Sequence, residues 1–151
     1  MSSLKIRLTD EVKQAMRDKA SERLGTLRLL MAAIKQKEVD ERKDLTDADI
    51  VAIIEKQVKQ RRESIAAYEQ AGRTETAAQE TTEMAVLKEF LPQAASDEEV
   101  TAAIDAAFAT VQAQGITGAP AMGKVMAILK PALAGRADMS ALSAKVKARL
   151  A

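Results

Sequence analysis

Glu80 and Glu83 stand three residues apart in a stretch of helix-forming residues, a spacing that puts both carboxylates on one side of a helix. Paired carboxylates can divide general-acid and general-base work between them, or they can hold a cation. Arg61 is a cation placed to meet them, because it interrupts a seam whose neighbouring members, Val58 and Ile65, are apolar. Two roles fit it: a functional arginine in a cleft, or a structural ion pair with Glu83, its stem laid along the seam. Ser64 follows in RRESI, but the chain has no histidine to activate it, and no cysteine either. Thiolate nucleophiles, disulfides, His-based triads and zinc sites of the Cys/His type are therefore excluded. No strand pattern precedes a glycine-rich phosphate loop. The residue types call for no metal and no cofactor, and they single out no catalytic residue.

A second set is cationic. From Gly115 onward there are six bases against Asp138 alone, a local charge of +5 within a chain of net charge +1. The segment before it, residues 93–114, carries Asp97, Glu98, Glu99 and Asp105 and no base. Lys124, Lys130, Arg136, Lys145 and Arg149 are the candidate RNA-binding residues. Lys145 and Arg149 are four apart on one helix side, Arg136 follows a glycine in a loop, and Lys124 follows Gly123 near an expected helix start. Backbone N–H groups at a helix start favour anions, and phosphate is the natural counterpart of such a set. No aromatic residue is interleaved with these bases, so contacts would go to backbone shape, as in folded RNA, and not to stacked bases. A solvated basic tail that binds nothing gives the same pattern. In the middle of the chain, Lys56, Lys59, Arg62 and Arg73 alternate with Glu55, Glu63 and Glu69, the pattern of a solvated helix face.

The elements that must position these groups are all helical. Hydrophobic residues make up 47% and charged residues 30% of the chain, the balance of a soluble folded protein. Aromatics are only 2%, so the core must rest on Leu, Ile, Val, Ala and Met. No apolar run reaches membrane-spanning length and no signal-peptide core is present, so the cytoplasm is the expected location and no membrane contact is expected.

The central element runs from Asp47 to Gly72. Val51, Ile54, Val58, Arg61, Ile65 and Tyr68 alternate in steps of three and four, a heptad seam facing a partner helix. Thr46 and Asp49 suit a capping box and Gly72 a left-handed stop. Thr74 is placed to cap a return helix to Leu91, ended by Pro92. Reflection about Gly72–Arg73 puts Val58 opposite Leu87 and Ile54 opposite Leu91, an αα-hairpin with Arg61 near Glu80 and Glu83.

Before it, Leu4, Leu8, Val12 and Met16 step by four along a first helix, Leu4 to Lys19. Ser21 is placed to cap a second helix, about Glu22 to Asp40, whose LRLLMAAI centre reads as buried on more than one side. After Pro92, Ser96 and Glu99 suit a capping box for a fifth helix carrying Val100, Ile104, Phe108 and Val111. Met122, Val125, Met126, Leu129 and Leu133 mark a sixth, which Pro131 must end or kink, and Ser140 is placed to cap a seventh with Leu142, Val146 and Leu150. The expected architecture is all-α: an N-terminal four-helix region, residues 1–92, with a long central αα-hairpin, and a small C-terminal three-helix domain, residues 96–151.

LRLLMAAIK (Leu27–Lys35), KQRRESIAAYEQAGR (Lys59–Arg73), Glu80, Glu83, Leu87 and FLP (Phe90–Pro92) resemble the N-terminal part of the GatB/YqeY family. MGKVMAILKPALAGRAD (Met122–Asp138), with Leu142, Val146 and Leu150, is similar to the family's C-terminal motif. Nearly the whole chain is covered, at the length of a stand-alone YqeY-like protein. One departure is Met139, where family members commonly carry glycine. The resemblance implies an all-helical module like the C-terminal end of the B subunit of the glutamine-dependent aminoacyl-tRNA amidotransferase, where that tail helps hold the tRNA. The kinase and transamidation site lies in a separate catalytic domain with no counterpart here. The family motif maps onto Gly123, Lys124, Gly135, Arg136 and Asp138.

Three functions follow as expectations. The first is a non-catalytic module that binds tRNA or another structured RNA through the C-terminal domain. The second is an adaptor docking on an amidotransferase subunit or a synthetase, with seven methionines to supply an adaptable apolar face. The third is a carbon–nitrogen ligase using glutamine as amido donor, an activity attached to the family through its kin.

Overall fold

The computed structural model describes residues 2–150 and is all-helical, with seven helices and no strand among the described residues. They are α1 Ser3–Arg17, α2 Ser21–Glu41, α3 Asp47–Gln70, α4 Thr74–Lys88, α5 Asp97–Ala113, α6 Ala119–Leu133 and α7 Met139–Leu150. None is long and apolar enough to cross a membrane. The chain divides into two compact units between Leu91 and Pro92, with α1–α4 in the first and α5–α7 in the second.

In the first unit, α3 and α4 form the most extensive helix pair, folding back through Gly72 at φ 74°. Val51, Ile54 and Val58 are buried, and the core joins Ile54 and Val58 to Leu87 and Phe90 of the return and to Leu27, Leu30 and Ile34 of α2. Burial of each such side chain contributes roughly 1.5–3 kcal/mol. Nearer the turn the seam loosens, and Ile65 and Tyr68 are only half-buried. Thr46 Oγ1 accepts from the Asp49 N–H at 3.2 Å while Asp49 accepts from the Thr46 N–H at 3.0 Å, so the capping box is reciprocal.

Four local expectations in this unit are corrected. Ala20, not Ser21, is the N-cap of α2, and Ser21 is the first helical residue. Arg73, not Thr74, is the N-cap of α4, again without a side-chain bond. Helix α4 ends at Lys88, three residues before Leu91, because the residues ahead of Pro92 tighten into turn bonds such as Phe90 N–H to Leu87 O at 3.2 Å. Finally, α1 and α2 bury less than expected. Steps of four overrun the helical turn by about 40° each, so Met16 has rotated out to solvent and Ala15 takes its place in the core. On α2, Leu29 is 63% and Val39 62% exposed, so one face of this helix lies open.

In the second unit, Val100, Ile104, Phe108 and Val111 of α5 pack with Val125, Met126, Leu129 and Leu133 of α6 and with Leu142 and Val146 of α7. Ser96 Oγ accepts from the Glu99 N–H at 3.1 Å at the start of α5. Pro131 sits inside α6, which runs two residues further to Leu133. The carbonyl its ring leaves without an N–H partner belongs to Ala127, which is exposed and can bond water. Asp138, not Ser140, caps α7: its carboxylate accepts from the Ser140 and Ala141 N–H groups at 3.4 and 3.3 Å.

Candidate nucleic-acid interface

The cationic residues of the second unit fall into two groups with different surroundings. Arg136 follows Gly135, whose φ of 73° needs the left-handed region, and this turn folds the loop after α6 back toward the start of α5. There its Nε donates to the Gln93 carbonyl at 2.9 Å, its Nη2 donates to the Glu99 carboxylate, and its own carbonyl accepts from the Ala95 N–H at 2.8 Å. The hydrogen bond from Arg136, then its charge, holds the Glu99 carboxyl below the usual carboxylate range. Arg136 is a clamp within the unit. Arg149, in the last turn of α7, is likewise engaged: its guanidinium donates to Asp105 of α5 and lies 4.8 Å from the centroid of the Phe108 ring. Two of the five candidate RNA-binding residues therefore carry charge already matched by a carboxylate of their own unit.

The other three, Lys124 and Lys130 on α6 and Lys145 on α7, are exposed and make no ion pair among the described residues; the same holds for Lys147. Their positions are set by the apolar stripe beneath them, since Val125, Leu129 and Val146 point inward and the adjacent lysines must point out. At 100° per residue, Lys124 and Lys130 stand about 120° apart around α6, and Lys145 and Lys147 about 160° apart around α7. No single face can hold all four. Lys124 is the sixth residue of α6, beyond the first-turn N–H groups that could have shared an anion with it, which corrects the expected helix-start placement.

Gly123, beside Lys124, lies in the interior of α6, and a Cβ built on it meets nothing within 4 Å. The unit's own packing does not require glycine there, although glycine in a helix interior costs roughly 0.5–1 kcal/mol relative to alanine. What the missing side chain does provide is a flat patch of backbone open to solvent next to an unpaired cation.

In the first unit, Arg61 lies between Glu80 and Glu83, donating to Glu80 at 2.9 Å and to Glu83. All three side chains are mostly covered. Both carboxylates are occupied by one guanidinium, which leaves no free acid–base pair. No group of three or more acidic residues that could hold a metal is present among the described residues. Sequence reasoning missed Glu99 and Asp105 as partners of the two arginines. The signal lay in the charge sums: the four acids of α5, with Asp138, nearly balance the bases, five against six from residue 92 onward.

Residues 5–150 match the family described as Yqey-like protein. The chain belongs to the YqeY-like family. An uncharacterised protein of Schizosaccharomyces pombe is 29% identical over 91 residues, covering 60% of this chain and 71% of that protein. The mitochondrial protein of Eremothecium gossypii named Altered inheritance of mitochondria protein 41 is 37% identical over 102 residues, covering 66% of this chain and 56% of that relative, so the match spans little more than half of the latter.

Proposed function

We propose that this YqeY-like protein is a non-catalytic accessory that binds tRNA or another structured RNA, related in role to the glutamine-dependent tRNA amidotransferase. In this reading α5–α7 form a small three-helix RNA-binding domain, and the residues before it form a four-helix region built on the α3–α4 hairpin. The observation that carries it is the set of exposed, unpaired lysines on α6 and α7, with the bare backbone of Gly123 alongside Lys124. Phosphate can approach such backbone closely, and lysine supplies charge without demanding one fixed geometry. Arg136 and Arg149 act as structural ties for the helices that present the lysines. Because the lysines divide between opposite sides of their helices, two to four phosphates are engaged, and the log–log salt slope is roughly −2 to −4.

Gel shift of the full chain against an unmodified tRNA transcript tests this. Charge reversal at Lys124, Lys130, Lys145 and Lys147 together should weaken binding by at least about tenfold with the helical circular dichroism unchanged. Arg149→Gln should leave affinity within about twofold. Equal loss from both variants would refute the division of the cations into grips and ties.

A further inference from the structure

Helix α2 carries a feature that RNA binding by α6 and α7 does not use. Gly25, Leu29, Ala32, Gln36 and Val39 follow one another in steps of four, three, four and three, so they form one straight stripe, and all five are exposed. Leu29 and Val39 are the two most exposed large apolar side chains among the described residues, at 63% and 62%. Along one edge, seven residues apart, stand Arg28 and Lys35, and Arg42 follows as the C-cap just past the end of α2, in left-handed backbone. Arg28 and Arg42 make no ion pair among the described residues, and Glu38, whose carboxyl feels the charge of Lys35, already accepts from Lys5 Nζ at 2.6 and 2.9 Å and from the Leu45 N–H at 3.1 Å.

Two further observations point to a ligand on this face. The C-terminal half of the stripe opens into a cleft of about 700 Å³, with Met31 and Val39 as apolar wall and four bases against two acids among its lining residues. At the other end, a Cβ built on Gly25 meets nothing within 4 Å, so the chain's own packing does not explain a glycine inside α2. A glycine there lets a partner's side chains or backbone come close.

We propose that this stripe is the docking face for an amphipathic helix of a partner protein that bears acidic residues along one edge. Gly25 to Val39 covers four turns, about 21 Å, the length of a short recognition helix. Charge selects the occupant. A second copy of α2 packed antiparallel would set Arg28, Lys35 and Arg42 against themselves. Packed parallel, it would offer them Asp40 as the one acid on the opposite edge, and Gln36 already donates to Asp40 at 2.9 Å. RNA would meet Leu29 and Val39 in the middle of the contact, apolar groups that a phosphate backbone cannot cover.

The test uses the full chain and two designed helical peptides of about three heptads, identical in their leucine seam and edged with either Glu or Lys. By fluorescence anisotropy the Glu-edged peptide binds at least about tenfold more tightly than the Lys-edged one. The double variant Arg28→Glu, Lys35→Glu reverses that preference, and Leu29→Asp removes binding of both. Gly25→Ala raises Tm, because it adds helix propensity in open space, yet weakens the Glu-edged peptide. The proposal is overturned if neither peptide binds, or if the charge reversal leaves the preference unchanged. It is also overturned if the same double variant loses a tRNA transcript but keeps the peptide, or if sedimentation shows a dimer that Leu29→Asp splits. Loss of RNA binding through α6 and α7 would leave these outcomes untouched.

Discussion

At the scale of single residues, Arg61 engages both paired carboxylates of α4. One guanidinium bonds Glu80 and Glu83, and the three side chains are 15%, 25% and 23% exposed. Removing the cation leaves two neighbouring carboxylates facing each other in partly dry surroundings. Arg61→Ala should therefore lower the unfolding free energy by about 2–3 kcal/mol, below the range for fully buried pairs because some solvent screening remains. The double variant Arg61→Met, Glu83→Met should recover most of the loss, since it replaces a pair instead of orphaning one partner. Urea titrations of both variants check this. Asp138 is the second informative residue. It caps α7, while Ser140, only two residues away, sits within the helix. Asp138→Ala should cost about 1 kcal/mol and Ser140→Ala less than about 0.5, read from thermal unfolding.

At the scale of elements, the carboxylates that join the first unit's helices make its stability depend on pH. The Lys5 ammonium and the Leu45 N–H hold the Glu38 carboxyl below its ordinary range, tying α2 to α1 and to the loop before α3. Hydrogen bonds from the N-terminal serines and the Leu4 N–H lower Asp47, and bonds from Thr46 lower Asp49. A carboxyl lowered in the folded state favours folding above its unfolded pKa and loses that contribution as pH falls through the lowered value. Tm should thus be flat near neutrality and fall below about pH 4. Glu38→Gln should lower Tm at pH 7 and make the decline below about pH 4 shallower, which a pH series of melting curves will show.

The helices themselves were legible because their seams repeat. Val51 to Val58 with Leu87, and Val100 to Val111, bury where period and reflection place them. Thr46 and Ser96 were legible as side-chain caps, but Ala20 and Arg73, which cap with backbone alone, were not, and at α7 the nearby Ser140 masked the capping carboxylate of Asp138. The exposed side of α2 was hidden because LRLLMAAI is apolar in composition all round. Only packing decides that Leu27, Leu30 and Ile34 face inward and Leu29 outward.

For the whole molecule, the decisive quantity is where charge is left over. A count along the sequence gives +5 after Gly115, but six bases stand against five acids across residues 92–151, and ion pairs remove both arginines from the exposed balance. The candidate interface was thus only partly legible. The lysines followed from their apolar neighbours, whereas the engagement of Arg136 and Arg149 depends on tertiary approach of α5, which no local pattern encodes. What remains for a polyanion is a sparse set of lysines, and such a set predicts salt-sensitive binding of moderate strength. The most direct measurement is the affinity of the full chain for a tRNA transcript across a salt series, beside the variant with Lys124, Lys130, Lys145 and Lys147 reversed. The account predicts a log–log slope of roughly −2 to −4 for the natural chain and a slope near zero for the variant. An identical slope for the two proteins, or no binding by the natural chain at low salt, would contradict it.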